Sequence, residues 1–403
     1  MNSSWTTEDL DSNITFIDYR GRTPKKVSSG IRLITAKNVK FGFIQKTPEE
    51  FISPADFDSW MTRGIPRAGD VFFTTEAPLG NVAQLDSDEP IALGQRIITL
   101  QPDRNVIHQA FLKYFLLTPS TQRAINRVAT GATVKGIKAK LFKKIQISYP
   151  SIAEQKNIVT LLDKAFADIE QARANTEKNI QNARELFDSY LQQVFSERCE
   201  EWEELTLQNA VSEDCSLSYG VVQPGEEFDG GIPVVRPVDL KKKSIEKSGL
   251  KRMDPKLAAS YQRTSLSGSE LLLCVRGETG TVAVSDASLF GANVTRGIVP
   301  IKFSEEKVSL DFAYFQFLSP LIYRQIKEKT YGTALKQINI RDLRQLSFFV
   351  PPIDKQCAIS EKLSEFQRTI NKLESVYKSK LAALDELKQS LLQQAFTGQL
   401  TQG

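Results

Sequence analysis

The residues able to do covalent or acid–base chemistry are few and poorly spaced for it. The 403 residues include one histidine, His108. A histidine-based zinc site or a repeated histidine-dependent centre is therefore excluded, and His108 reads as a loop or helix-start residue. The four cysteines, Cys199, Cys215, Cys274 and Cys357, form no Cys-x-x-Cys pair and have no metal-ligand neighbour at finger spacing. They read as reduced, structural thiols. No Gly-x-x-x-x-Gly-Lys-Ser/Thr loop is present to cradle phosphates, and no Gly-x-Gly-x-x-Gly follows a strand. Gly277 and Gly280 form the nearest glycine pair, which reads as a β-turn. The Asp/Asn-Pro-Pro-Tyr/Phe tetrapeptide of adenine methyltransferases is missing. Val350–Ile353 has its two prolines but neither the polar first residue nor the aromatic last one. Most acidic residues fall on helical faces, where solvated charge explains them. No catalytic residue, metal site or cofactor is expected in this chain.

Bulk properties narrow the class further. The hydrophobic fraction is 41%, enough to build cores, and 403 residues suit two or more domains. No apolar run approaches the roughly 20 residues of a membrane span. Residues 1–10 are polar and lack the apolar centre of a signal peptide. A soluble cytoplasmic protein is expected. The net charge of +4 is only mildly basic and by itself establishes no nucleic-acid partner.

The elements that would position any site are duplicated. Shifted by about 200 residues, the chain comes into register with itself. Ile31–Val39 lies over Ile232–Leu240, and Gly80–Ala83 over Gly280–Ala283. Ala92 and Arg96 lie over Ala292 and Arg296, and Tyr114–Phe115 over Tyr314–Phe315. Gly131, Lys135 and Ile137 lie over Gly332, Lys336 and Ile338, Pro150 and Gln155 over Pro351 and Gln356, and Leu191–Phe195 over Leu392–Phe396. The period is far longer than the roughly 20–50 residues of a solenoid, so a whole domain-plus-helix unit is doubled. Each unit opens with short β-rich runs: Asp70–Thr75 and Arg96–Leu100 in the first, Glu270–Val275 and Gly297–Phe303 in the second. A helix is expected in each, near Gln109–Asn126 and Leu310–Lys329.

After Pro150 and after Pro351-Pro352, glycine and proline vanish for more than forty residues. Proline restricts the residue before it and opens a helix cleanly, so long helices are predicted over Ser151–Ser196 and Ile353–Phe396. About 44 residues at 1.5 Å each make a rod of roughly 65 Å. In the second helix Ile359, Leu363, Phe366, Ile370, Leu373 and Tyr377 alternate steps of four and three. Lys380 interrupts, and Leu384, Leu387 and Leu391 resume. That is a coiled-coil seam. The first helix has a broader stripe, including Ile158, Leu162, Phe166 and Phe187, with breadth to spare for another subunit. The two seams are expected to pair within one chain. The fold class is thus α+β: two mixed α/β domains joined by two long antiparallel coiled-coil helices, with an internal two-fold repeat. The boundaries drawn are 1–150, 151–198, 199–351 and 352–403.

The helix ends carry a resemblance. Pro150–Ile158 and Pro351–Ile359 open the helices, and Leu191–Phe195 and Leu391–Leu400 close them. In combination they resemble the helical regions of specificity subunits of Type I restriction–modification systems. Arg22–Lys25 resembles the Gly-x-Thr-Pro loop near the start of that family's target-recognition domains, and Ser218–Gly225 another version of that opening. The resemblance covers essentially the whole chain. Lys355 stands where the family usually has glutamate, so that position reads as structural.

The resemblance implies a non-catalytic subunit whose two domains each read half of a bipartite double-stranded DNA target. Its partners would be two methyltransferase (modification) subunits, which hold S-adenosylmethionine, and two restriction subunits, which use ATP and magnesium. The rod would act as a ruler that fixes the unread gap. Phosphate grips and base readers are then needed in each domain. The candidates in the first are Arg20, Arg22, Thr23, Lys25, Lys26, Lys37, Asn38, Lys135 and Lys138. In the second they are Tyr219, Gln223, Arg276, Lys336, Gln337 and Asn339. Arginine suits guanine, and asparagine and glutamine suit adenine, through bidentate major-groove contacts. Each lysine has plain solvated charge as its alternative. Arg96 and Arg296 fit either a shared phosphate contact or a shared structural ion pair. The packing residues are Ile158, Leu162, Phe166, Phe187, Ile359, Leu363, Phe366, Ile370 and Leu387. A divergent nuclease or methyltransferase, and a coiled-coil adaptor that binds only protein, remain open; neither requires a duplicated recognition domain.

Overall fold

The computed structural model describes residues 5–19, 23–197, 201–333 and 335–399. The chain is α+β and forms two compact units. One comprises 1–176 with 378–403, the other 177–377. Each unit therefore combines one globular domain with part of each long helix. No helix among the described residues is long and apolar enough to cross a membrane.

In the first unit, Ile14–Asp18, Ile97–Pro102, Val71–Thr75 and Leu79–Gln84 form a four-stranded antiparallel sheet in that order. Val71–Thr75 is central and buried along its whole length, which explains its unbroken apolar run. A second sheet joins Lys26–Val27, Phe51–Ile52, Ile31–Ile34 and Ile91–Leu93, the last two in parallel. The second unit repeats these two sheets with three strands in each. Val282–Val284, Leu271–Cys274 and Ile298–Ile301 make one, and Lys251–Met253, Ile232–Val235 and Asn293–Val294 the other.

The single helix expected in each domain is two. Helix α1 spans Gln109–Leu117 and α2 Pro119–Val128. The break falls at Thr118, whose ψ of 144° is extended because a proline follows. Its hydroxyl caps α2 by accepting from the Thr121 amide at 3.2 Å. In the second unit, Leu310–Leu318 and Pro320–Glu328 break at Ser319 in the same way. This break also corrects the register of the repeat here. His108 and Ser309 are equivalent helix starts, so Phe111 matches Phe312 and Tyr114 matches Phe315.

The long helices are α3, Ile152–Ser196, and α4, Ile353–Ala395. They pair antiparallel. In the first unit Glu170 meets Lys388 at 2.7 Å and Arg173 meets Asp385 at 2.6 Å, so one helix advances by three as the other retreats by three. In the second unit Arg184 meets Glu374 at 2.9 Å, and Phe187 and Tyr190 pack on Phe366. Ile158, Leu162, Leu363 and Ile370 are buried, Phe166, Phe187 and Ile359 are partly buried against the cores, and Phe366 is partly buried.

Leu387 is a correction: it is 46% exposed, and Leu373 is 38% exposed. Between Ile370 and Leu392 the covered positions are instead Glu374, Tyr377, Leu381, Leu384, Lys388, Leu391 and Leu392 itself. Two successive four-residue steps, 366 to 370 to 374, replace the strict heptad. A helix with 3.6 residues per turn drifts off a 3.5 repeat, and one extra residue recovers the face. That step brings Glu374 inward to Arg184. It also means that Lys380 interrupts nothing, since the seam passes through Leu381. Lys355 forms an ion pair with Glu201, which gives its departure from the family pattern a structural reason.

The strand-leading turns differ electrostatically between the units. Glu270 is buried. Burial alone would raise its pKa, but the Ser267 and Ser285 hydroxyls and the Ser267 and Ser269 amides donate to it and hold it below its usual value. Its counterpart Asp70 is raised by burial despite Gln101 and the Arg67 amide. Glu270 therefore contributes stability above the unfolded glutamate value of about 4.3, lost as pH falls through the lower folded value. Asp70 does the reverse: stability is lost as pH rises from the unfolded aspartate value of about 3.9 through the raised folded one. Chemical denaturation should show Glu270→Gln costing about 1–3 kcal/mol at pH 7, a deficit that shrinks below pH of about 4. Asp70→Asn should look relatively better at neutral than at acid pH. The same pH trend for both variants would contradict this assignment.

Candidate nucleic-acid interface

In the first unit several loops converge on the end of the central strand Val71–Thr75. The Thr75 amide donates to the Arg96 carbonyl at 2.9 Å, and the Ile137 amide to the Thr75 carbonyl at 2.9 Å. Thr130 and Gly136 exchange two backbone hydrogen bonds of 2.9 and 2.8 Å, closing a loop over Glu76. Gln95 donates to the Thr23 hydroxyl. Arg96 sits at φ 68° and its Nε reaches Glu76 at 3.0 Å. Thr23, Lys26, Lys37, Gln95 and Arg96 line a hollow of about 200 Å³.

The second unit builds the same neighbourhood. The Ile338 amide donates to Val275 at 3.0 Å, the Gly277 amide to Lys336 at 2.8 Å, and Tyr331 and Gln337 exchange two bonds of 2.9 Å. The Arg296 amide donates to Val221 at 2.8 Å. The Tyr219 hydroxyl donates to the Ile338 carbonyl at 3.3 Å, and its pKa is raised by burial, with Arg296 near enough to oppose the rise. Tyr219, Arg276, Arg296, Lys336 and Gln337 thus share one surface.

Most sequence candidates lie on these two surfaces. Thr23, Lys25, Lys26, Lys37, Arg96, Lys135, Lys138, Tyr219, Gln223, Arg296 and Lys336 are exposed, and Arg276 and Gln337 are half-buried. Lys26 shares its charge with Glu50 at 2.7 Å. Arg20 and Arg22 lie outside the described residues. Asn38 is a correction. It is fully buried; its oxygen accepts from the Thr35 amide and hydroxyl, and its amide donates to the Gln45 and Pro48 carbonyls. Nothing is left to meet a base. Asn339 is half spoken for, since its oxygen caps the helix Ile340–Arg344 by accepting from the Asp342 amide at 2.8 Å. A bidentate adenine contact is thereby lost. Among the described residues the ion pair of Arg96 is not shared by Arg296, because Arg276 occupies the place of Glu76 in the second unit. The Arg96–Glu76 pair is about half exposed, so it is worth little and leaves the guanidinium accessible.

Sequence reasoning missed Gln95, Glu76, Val134, Tyr331 and Leu335. Only the repeat-matched glycines Gly131 and Gly332 could have drawn attention to the last three. His108 is the residue that starts α1, its amide donating to Gln155 at 2.8 Å. Among the described residues no group of three or more His, Cys, Asp or Glu side chains could hold a metal ion.

A duplicated α+β reader built on paired helices is the class that this geometry defines. The family model of the Type I restriction modification DNA specificity domain matches residues 60–178 and 223–381, one match in each half of the repeat. The chain belongs to that family. It is 23% identical to the EcoBI specificity subunit of Escherichia coli, over 78% of this chain and 70% of that one. It is 22% identical to the EcoKI specificity subunit of Escherichia coli strain K12, over 92% and 82%. A solved chain described under the assembly and conformational transition of a type I R-M system matches with TM-score 0.79 at 18% identity, covering 99% of both chains. The HsdS subunit of Thermoanaerobacter tengcongensis matches at 0.58 and 18%, covering 99% and 98%. At that identity the structural likeness speaks for the fold.

Proposed function

We propose that this chain is the non-catalytic specificity subunit of a Type I restriction–modification complex, reading a bipartite DNA target in the cytoplasm. The observation that carries this reading is the duplicated surface: each family-matched half places an arginine, a lysine-bearing loop and polar side chains at the end of its central strand. Glu76 in one and Arg276 in the other invert the charge at one equivalent position, which supports two different half-sites. Two methyltransferase subunits would supply S-adenosylmethionine and the catalytic residues, and two restriction subunits ATP- and magnesium-dependent cleavage. Leu186 and Leu387 match across the repeat and are 56% and 46% exposed, which supports a scaffolding role for the helices.

The test is co-expression with a methyltransferase subunit, followed by mapping N6-methyladenine across the host genome. A two-part methylated motif that disappears with this chain is the expected result. A complex that forms but methylates no motif would overturn the reading. Single substitutions then sort the candidates. Lys135→Ala or Lys336→Ala should weaken binding to all sequences and reduce the salt slope by about 0.9. Arg296→Ala, if the side chain reads guanine, should cost about 1–3 kcal/mol and relax the motif at one position. An unchanged motif and slope for a variant would remove that residue from the interface.

A further inference from the structure

The loops closed by Thr130 with Gly136 and by Tyr331 with Gln337 have a feature that base and phosphate reading does not use. Each carries an apolar side chain held out in solvent, Val134 at 53% exposure and Leu335 at 45%. Each is followed directly by an exposed lysine, Lys135 or Lys336. Backbone hydrogen bonds pin the two ends of each loop. Besides the paired hydrogen bonds that close the loops, Gly131 and Gly332 have φ of 111° and 102°. A Cβ on either would fall 2.1 or 2.3 Å from the carbonyl oxygen of Val134 or Leu335. Only glycine permits the loop to fold back so tightly.

We infer that these two loops are apolar wedges that enter between stacked bases of double-stranded DNA, one at each half-site. The inference rests on the DNA-reading function proposed above. An apolar tip beside lysines fits a polyanion with an apolar interior: Lys135 and Lys138 flank the first tip, which shares its hollow with Glu76 of the Arg96–Glu76 pair, and Lys336 and Arg276 flank the second. Stacked bases between phosphates are such a partner, and Leu-type side chains unstack base steps in this way. The loops keep the same glycine, apolar and lysine positions, although the residues around them differ between domains. Their task is therefore common to both half-sites rather than sequence reading. A base that is to be methylated must leave the stack, and a wedge lowers the cost of taking it out.

The test uses the full methyltransferase complex and duplexes carrying the mapped target, with 2-aminopurine beside the methylated adenine of one half-site at a time. Val134→Ser and Leu335→Ser change exposed side chains and should leave folding intact, which circular dichroism checks. Each variant should lose about tenfold of the fluorescence rise and of the methylation rate in one half-site only, a different one for each, with the recognised sequence unchanged. Wild-type fluorescence and rates for both variants would overturn the wedge. A variant that instead accepts a new base pair at one position would also overturn it, by showing that the tip reads a thymine methyl group. A wild-type complex that binds no target would refute the proposed function, and the wedge with it.

Discussion

Replacing Gln155 or Gln356 with leucine is expected to destabilise the corresponding unit by about 2–4 kcal/mol. Both side chains are fully buried. Gln155 accepts from the His108 amide at 2.8 Å and donates to the Val106 and Pro150 carbonyls at 2.8 and 2.9 Å. Gln356 accepts from the Ser309 amide at 2.9 Å and donates to the Lys307 and Pro351 carbonyls at 2.7 and 2.9 Å. Leucine fills the space but leaves three backbone groups unmet, of which only the Pro150 or Pro351 carbonyl is buried and the others partly so; a buried one costs about 1–3 kcal/mol and water relieves the rest in part. These bonds tie the first turn of a long helix to the loop before the domain's own helix, so their loss loosens the joint between reader and rod. Urea denaturation of each variant measures the cost. A loss below about 1 kcal/mol would mean that water replaces the glutamine, and that the joint is held by apolar packing alone.

The second large effect is at the opposite joint. Phe312→Ala and Phe111→Ala should each cost about 3–5 kcal/mol. Phe312 is fully buried and lies 5.5 Å from Phe195 and 6.0 Å from Trp202, centroid to centroid. Phe111, equally buried, lies 4.7 Å from Phe396 and 6.3 Å from Trp5. The end of one long helix thus docks on each domain through the same aromatic trio. A double-mutant cycle of Phe312→Ala with Phe195→Ala should give a coupling of about 0.5–1.5 kcal/mol, as expected for an aromatic pair beyond its area. Leu387→Ala is the contrasting control. The strict heptad would make it a core deletion costing about 2–5 kcal/mol, whereas its exposure here limits the cost to about 0.5 kcal/mol. A large loss for Leu387→Ala would restore the heptad through Leu384, Leu387 and Leu391 and displace the four-plus-four step.

Much of the candidate site was placed by the repeat and little of it by residue type. Lys37 and Asn38 are neighbours in sequence and equally suited to DNA on paper. The tertiary fold turns one outward and buries the other under the loop that carries Gln45 and Pro48. Arg96 and Arg296 align, yet among the described residues only the first meets a carboxylate, because the position that bears Glu76 in one domain bears Arg276 in the other. The break between α1 and α2 was present in the sequence as Thr118-Pro119 and Ser319-Pro320, and an unbroken helix ignored it.

The sequence by itself determined the duplication, the α+β class, the prolines that open the long helices and the lack of familiar catalytic motifs. These follow from local rules: periodicity, glycine and proline geometry, and internal alignment, each settled within a few residues or by comparing the chain with itself. The tertiary structure alone decided which apolar positions form the seam, which amides reach solvent and which loops share a surface. Those outcomes depend on partners far along the chain: Thr75 on Ile137, Tyr219 on Ile338 and Arg184 on Glu374. A side chain's direction is set by what packs against it, and a contact made across such distances leaves no mark on the sequence around either partner.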